Sequence, residues 1–255
     1  MPIESWSSVI HVARSFLNRK TGESATRGAR AVAMQPLVSV VTPVFNMAQT
    51  LPRAFESLKA QAGRWQHIIV DDGSTDDTPR VIEAIARDPR VVRARTVNRG
   101  IGAALNTALE LATGDFAAFL DADDEYLPNH LGSHLTAMSE HPEVDVFWGG
   151  LEVIADSPDD VLVPDVAAGF GFISIHDCVT QGTLFVRRYV FESVRFDEDR
   201  LCWHDYDFVR RVEGRFEVRR LHEPTYRYYR NTAASVVDRM KMSWPTQRRE
   251  GSLEP

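Results

Sequence analysis

The chain has 255 residues, 44% of them hydrophobic and 25% charged, and carries a formal net charge of -7. That length and composition suit one globular domain with appendages. The acidic balance excludes nucleic acid as a partner, because binding a phosphate backbone depends on basic patches and counterion release.

No apolar run approaches the ~20 residues of a membrane span, and the N-terminus lacks an uninterrupted signal-peptide core. Cys178 and Cys202 form neither a Cys-x-x-Cys nor a zinc-type spacing, which fits structural thiols in a reducing, cytoplasmic setting.

In chain order, Ile3, Trp6, Val9, Ile10, Ala13, Phe16 and Leu17 recur at helical spacing opposite Ser7, His11, Arg14 and Asn18. Such an amphipathic helix offers three contacts: its own domain, a second copy in a homodimer, or the inner face of a membrane as a peripheral anchor. Residues 21–36 turn to Gly, Ser, Thr, Ala and Arg and read as a linker. The expected organisation is a helix and linker over 1–36, a core domain over 37–237 and a tail over 238–255.

The β-branched run Leu37 to Phe45 predicts a buried first strand, and Leu51, Ala54, Phe55 and Leu58 predict a helix. His67 to Val70 is a second strand, running into the turn Asp71-Asp-Gly-Ser-Thr-Asp-Asp77. Pro79, preceded by Asp76 and Asp77, suits a helix start. Val91 to Val97 predicts a third strand, and Asn98-Arg-Gly-Ile-Gly102 turns into a helix with Ala104, Leu105, Ala108 and Leu111.

Phe116 to Leu120 is a fourth strand that stops in Asp121-Ala-Asp-Asp124, three carboxylates within four residues. Carboxylates crowded at a strand end repel one another, and a divalent cation is the usual relief. A helix from Pro128 to about His141 and a strand over Val144 to Ile154 follow. Residues 155–171 read as a loop or hairpin over the site. A short strand at Thr183 to Val186, a helix from about His204 to Val212, and strands near Phe216 to Leu221 and Thr225 to Arg230 complete the chain. Strands alternating with helices indicate an α/β fold with a mostly parallel central sheet flanked by helices.

Taken together, Val38 to Asn46, Asp71-Asp-Gly-Ser-Thr-Asp76, Asn98-Arg-Gly with Asn106, Asp121-Ala-Asp-Asp124, Phe196-Asp-Glu198 and His204-Asp-Tyr-Asp-Phe208 resemble, in order, the motifs of family 2 glycosyltransferases. The resemblance implies the GT-A fold, a Rossmann-like sheet with a smaller mixed sheet on the acceptor side. It implies an inverting, metal-dependent transfer of one sugar from a nucleotide-sugar donor, read as a UDP-sugar, to a hydroxyl or amine on a sugar, lipid-linked or protein acceptor. The metal, Mn2+ or Mg2+, would be held by Asp123 with Asp121 and Asp124. Nucleotide contacts fall to Pro43, Val44, Phe45, Asn46, Asp71, Asp72, Asn98, Gly100 and Asp121, with Asp71 or Asp72 reading the uracil N3-H. A turn-stabilising role for that aspartate pair stays open beside this one. The resemblance makes Asp205 the base.

Three positions depart from the family pattern: His204 stands where Glu usually precedes the base, Thr232 where His is usual, and Leu105 where Arg is common. They keep a second class in play, a sugar-nucleotide-binding module with weak or no catalysis. Gln61-Ala-Gly-Arg-Trp65 spells the Gln-x-x-Arg-Trp of processive synthases, but it precedes the second strand and is refused as that motif.

Overall fold

A computed structural model describes residues 35–200, 202–230 and 236–246. The expected N-terminal helix, most of the linker and Thr232 lie outside those residues.

β1 (Leu37–Val44) and β2 (Arg64–Asp71) are each eight residues long and almost wholly buried. They pair in parallel, with Val38 opposite Trp65 and Val44 opposite Asp71. β3 (Val91–Arg95) adds to β2, and β4 (Phe116–Phe119) adds to the other side of β1, both in parallel. With β6 (Val146–Trp148), β10 (Phe185–Arg187) and β11 (Val218–Arg220) the sheet reads β11-β6-β10-β4-β1-β2-β3, in which β10 alone runs against its neighbours. Chain direction across the sheet reverses between β1 and β4, the place where α/β sheets open a crevice beyond their carboxyl ends.

Alternation along β1 explains the two-sided core. Val38, Val40 and Val44 face α1 (Leu51–Lys59) through Leu51, Ala54, Phe55 and Leu58, the four residues expected from periodicity. Val41 faces the opposite side, where α3 (Ile101–Leu111) brings Ala104, Leu105 and Ala108. Leu105 is therefore core-filling. α2 (Thr78–Ile85) and α4 (His130–Glu140) share the first side, and α5 (His204–Glu213) adds Phe208, Val209 and Val212 to the second.

The strand expected over Val144 to Ile154 is two strands. Gly149 and Gly150 adopt φ of 97° and 74°, and a Cβ on Gly150 would meet the Glu223 carbonyl oxygen at 2.0 Å. Only glycine fits there, and the bend sends β7 (Leu151–Ile154) into a second sheet of order β5-β12-β7. β5 (Glu125–Tyr126) runs antiparallel, and β7 parallel, to the central β12 (Tyr226–Tyr229). This is the smaller mixed sheet. Residues 155–171 carry a 3-10 turn and β8 (Leu162–Pro164), which pairs antiparallel with β9 (Phe172–Ser174).

The boundary drawn at 237/238 falls inside α6 (Val236–Ser243). Val237 packs on the core, Lys241 Nζ donates to the Asp159 carbonyl at 2.7 Å, and Gly171 N donates to the Pro245 carbonyl at 2.7 Å. Residues 236–246 are thus tied to the β8–β9 hairpin rather than forming a free tail.

Candidate active site

The carboxyl ends of β1, β2 and β4 bring the sequence-predicted residues to one edge of the sheet. After β1, Asn46 takes φ of 57° and joins the β2 turn: its N-H donates to Ser74 Oγ at 2.8 Å and its side-chain oxygen accepts from Thr75 N at 2.8 Å. Val44 is buried, Pro43 half-buried and Phe45 exposed.

Asp71 and Asp72 are both buried but differently used. Asp71 accepts from Ser74 N at 2.8 Å and pairs with Arg95 at 2.9 Å. Asp72 accepts from Thr96 Oγ1 at 2.8 Å, Arg99 N at 3.0 Å and Gly100 N at 2.8 Å, so its oxygens are filled by the loop after β3. A carboxylate offers about four acceptor sites. Asp71 keeps more spare capacity than Asp72, whose Oδ2 is also approached by Arg99 N at 3.2 Å; the turn-stabilising role holds for both. Gly100 closes that loop at φ of 91°, while Asn98 is exposed on it.

Asn106, on α3, accepts from Phe196 N at 3.1 Å and donates to the Phe196 carbonyl at 2.9 Å, and Arg99 pairs with Glu198 at 2.5 Å. Two motifs some ninety residues apart in sequence are thereby fastened together.

The acidic turn after β4 divides its carboxylates. Asp124, expected among the metal ligands, is fully buried and turned inward, with its oxygens accepting from Tyr226 Oη and from Tyr229 N, both at 2.8 Å. Asp121 and Asp123 are only partly covered. Burial, reinforced by the Asp123 and Asp205 charges, pushes the Asp121 carboxyl up to about 8. Burial also raises Asp123, against the pull of Arg53. Arg53 donates to the Asp123 carbonyl and stacks its guanidinium 3.8 Å from the centre of the Tyr229 ring.

Two carboxylates that repel in this way fit a divalent cation. Mg2+-type sites take one or two protein carboxylates and complete their shell from phosphate oxygens and water. Among the described residues no three His, Cys, Asp or Glu side chains form a closed metal cage. Asp121 and Asp123 are therefore the pair that could hold the ion, with Asp124 bracing the turn.

On α5 the two acids separate. Asp205 Oδ2 accepts from the backbone N of Gln181 at 3.1 Å and Oδ1 from Tyr206 N at 2.8 Å. Asp207 is held by Arg211 at 2.7 Å and Arg200 at 3.2 Å. Trp203 precedes the helix at φ of 57° and meets Trp244 edge-on at 5.1 Å. Burial lowers His204, opposed by the Asp205 charge.

Several residues of this region escaped the sequence reading. Gln181 is 4% exposed and lies between Asp121 and His204. Tyr226 Oη accepts from Asp121 N at 3.1 Å besides donating to Asp124. Gly182 makes room for it, since a Cβ there would lie 2.0 Å from Tyr226 Cζ. Arg227 pairs with Glu152 at 3.2 Å and Glu125 at 3.5 Å. Arg230 is buried against the Asp160 carbonyl. Gln61 bonds the Leu127 carbonyl and Leu131 N, and Trp65 is buried under Arg90, so the Gln-x-x-Arg-Trp match is framework.

The model of the family described as glycosyl transferase family 2 matches residues 39–190. An uncharacterized glycosyltransferase of Rickettsia prowazekii is 28% identical over 183 residues, 68% of this chain and 57% of its own length. The succinoglycan biosynthesis protein ExoO of Rhizobium meliloti is 31% identical over 194 residues, 69% of this chain and 55% of its own. The chain thus spans little more than half the length of these curated relatives. Among solved structures, the mannosyltransferase PcManGT of Pyrobaculum calidifontis, in complex with GDP-Man and Mn2+, superimposes with a TM-score of 0.64 at 19% identity, over 92% of this chain and 67% of that one. S. aureus TarS 1-349 in complex with UDP-GlcNAc gives 0.62 at 19% identity, over 79% and 60%. The fold is that of GT-A glycosyltransferases.

Proposed function

The chain belongs to glycosyl transferase family 2, and from that premise we propose that it transfers a single sugar, with inversion, from a nucleotide-sugar to an acceptor hydroxyl or amine. The observation that carries the reading is the separation of the two acids on α5. Asp205 is turned toward the acidic turn, where its charge bears on Asp121, while Asp207 is held by two arginines.

In the proposed reaction the acceptor oxygen or nitrogen bonds to the anomeric carbon from the face opposite the diphosphate. Its proton passes to the Asp205 carboxylate as the carbon–oxygen bond to the diphosphate breaks. Asp121 and Asp123 would hold Mn2+ or Mg2+, which supplies Lewis-acid neutralisation of the charge gathering on the diphosphate. The loop bonded to Asp72 and the Asn46 corner frame the nucleoside. Asp71, with acceptor capacity to spare, is the residue suited to the N3-H of uracil. That favours UDP over CDP, whose N3 carries no hydrogen; guanine also offers an N-H, and the two solved neighbours were captured one with UDP-GlcNAc and one with GDP-Man. An intact Asp205 favours an enzyme over a binding module.

The deciding experiment is a screen of sugar nucleotides by thermal shift with and without Mn2+, followed by analysis of the product's anomeric configuration. A metal-dependent shift with one UDP-sugar and an inverted product is expected. A retained configuration would remove the mechanism, and a preference for GDP would remove the uracil assignment.

A further inference from the structure

Gln181 hydrogen-bonds both the acidic turn and the start of α5. Its Nε2 donates to Asp121 Oδ1 at 2.6 Å, its Oε1 meets His204 Nε2 at 2.6 Å, and its backbone N donates to Asp205 Oδ2 at 3.1 Å. The residue sits in a single 3-10 turn, Gln181–Thr183, wedged between the acidic turn and α5. Thr183 Oγ1 anchors the far end of that turn by accepting from Gly149 N at 3.0 Å.

We propose that Gln181 is the positioning residue that sets the base-bearing helix against the acidic turn, and that it does so through one imposed histidine tautomer. The amide orientation in the structure sets the direction of each bond: the Gln181 NH2 faces Asp121, and the amide oxygen, which can only accept, faces His204. His204 must then carry its hydrogen on Nε2. Its Nδ1 is consequently a bare acceptor, and that atom is buried without a hydrogen-bond partner in the structure. A buried lone pair left unmatched is costly. It marks the Gln181 bond as the one that orients the ring, with Phe196 packed 6.1 Å away. Histidine at this position, in place of the glutamate common in the family, is matched to glutamine. A carboxylate at 204 would face the amide oxygen, which has no hydrogen to give it.

This inference rests on the transferase reading for its kinetic arm only. The test uses Gln181→Met, which keeps length and shape but neither polar atom, and Gln181→Glu, which keeps an acceptor for His204 and sets a like charge against Asp121. The full-length protein would be labelled with 15N histidine, and the ring nitrogens read by NMR. Wild type should show a single Nε2-H tautomer for His204, assigned by its loss in His204→Gln. Gln181→Met should show mixed tautomers, and Gln181→Glu should keep the Nε2-H form. Side chains that hydrogen-bond a metal's ligands typically cost 10–100-fold when lost. Gln181→Glu should accordingly weaken Mn2+-UDP binding by roughly tenfold, whereas Gln181→Met should lower kcat by roughly tenfold or more with less change in nucleotide Kd. An Nδ1-H or mixed tautomer in wild type would overturn the proposal. So would a His204 spectrum unmoved in Gln181→Met. Absence of sugar transfer by wild type would instead strike the transferase reading, leaving the tautomer result to stand by itself. If Gln181→Met does not fold, Gln181→Glu still decides through its opposite effects on tautomer and nucleotide.

Discussion

Asp207 and Arg211 are joined at 2.7 Å one helical turn apart, and the bond turns Asp207 away from the residue two positions before it that faces the acidic turn. Asp205→Asn keeps size and polarity while removing basicity. Transfer should fall by roughly a hundredfold or more, the usual scale for a positioned base, with nucleotide binding retained. Asp207→Asn should leave transfer near wild type and cost about 1 kcal/mol of stability or less, because its arginine partners are substantially exposed. Full activity in Asp205→Asn with a dead Asp207→Asn would move the base two residues along α5.

Asp121 and Asp123 repel a diphosphate as they repel each other, so cation and nucleotide should bind together. Calorimetry with UDP after chelation should show at least a tenfold weaker affinity than with Mn2+. Asp123→Asn should behave like chelation, and Asp124→Asn should instead lower the melting temperature, since Asp124 is occupied by Tyr226 and Tyr229. Equal UDP affinity with and without metal would exclude the cation.

The two aspartates of the β2 turn should fail in different ways. Asp71→Asn should narrow the preference for UDP over CDP, because an amide can present a donor where the N3-H needs an acceptor. Asp72→Asn should weaken all nucleotides alike by loosening the loop at Arg99 and Gly100. Competition binding against labelled UDP separates the two patterns, and a loss of base preference in Asp72→Asn alone would reverse the assignment.

Burial holds His67 down to about 3 and His134 down to about 4. His130 is lowered too, by burial and by the adjoining His134. All three lie below the ordinary histidine value, so the unfolded chain binds the extra protons. Their share of the stability should be constant above pH 6.5 and fall as pH drops toward 4. Each should cost about 1.4 kcal/mol per pH unit across its window. The raised Asp121, Asp123 and Asp124 carboxyls act with opposite sign, favouring the folded state as they protonate, so the histidine share is read by difference. In urea titrations from pH 7 to 4, His67→Gln should lose stability relative to its own pH 7 value less steeply, or gain it more steeply, than wild type. An unchanged slope in that variant would mean that His67 protonates without unfolding.

What could be read from the sequence was what repeats locally. The apolar alternation of β1, the i, i+3, i+4 face of α1 and the acid-rich strand ends are carried by neighbouring residues, and each led to the right element. The split of 144–154 was signalled by Gly149-Gly150 and overlooked, since a double glycine inside a strand pattern is a bend marker. The identity of the third helper in the acidic turn was beyond reach for a different reason. Nothing local to Asp124 shows that Tyr226 and Tyr229 will consume it, and nothing near Gln181 shows that it will meet both Asp121 and His204. Those contacts are properties of the packed sheet, not of any segment.

Tyr226 stands 105 residues beyond Asp121 and 102 beyond Asp124, the two positions it ties together. Chains emerge from the ribosome N-terminus first, and contacts so distant in sequence close late. The parallel strands β1 to β4 can therefore assemble while the acidic turn still lacks its clamp and keeps its carboxylates open to water. Only when β12 slots between β5 and β7 does the phenol enter, filling the space that Gly182 leaves and drying the turn. On the proposed function, the strands that would cradle the nucleotide are made before the strand that closes the acidic turn, so an unfinished chain would hold the scaffold without the means to use it.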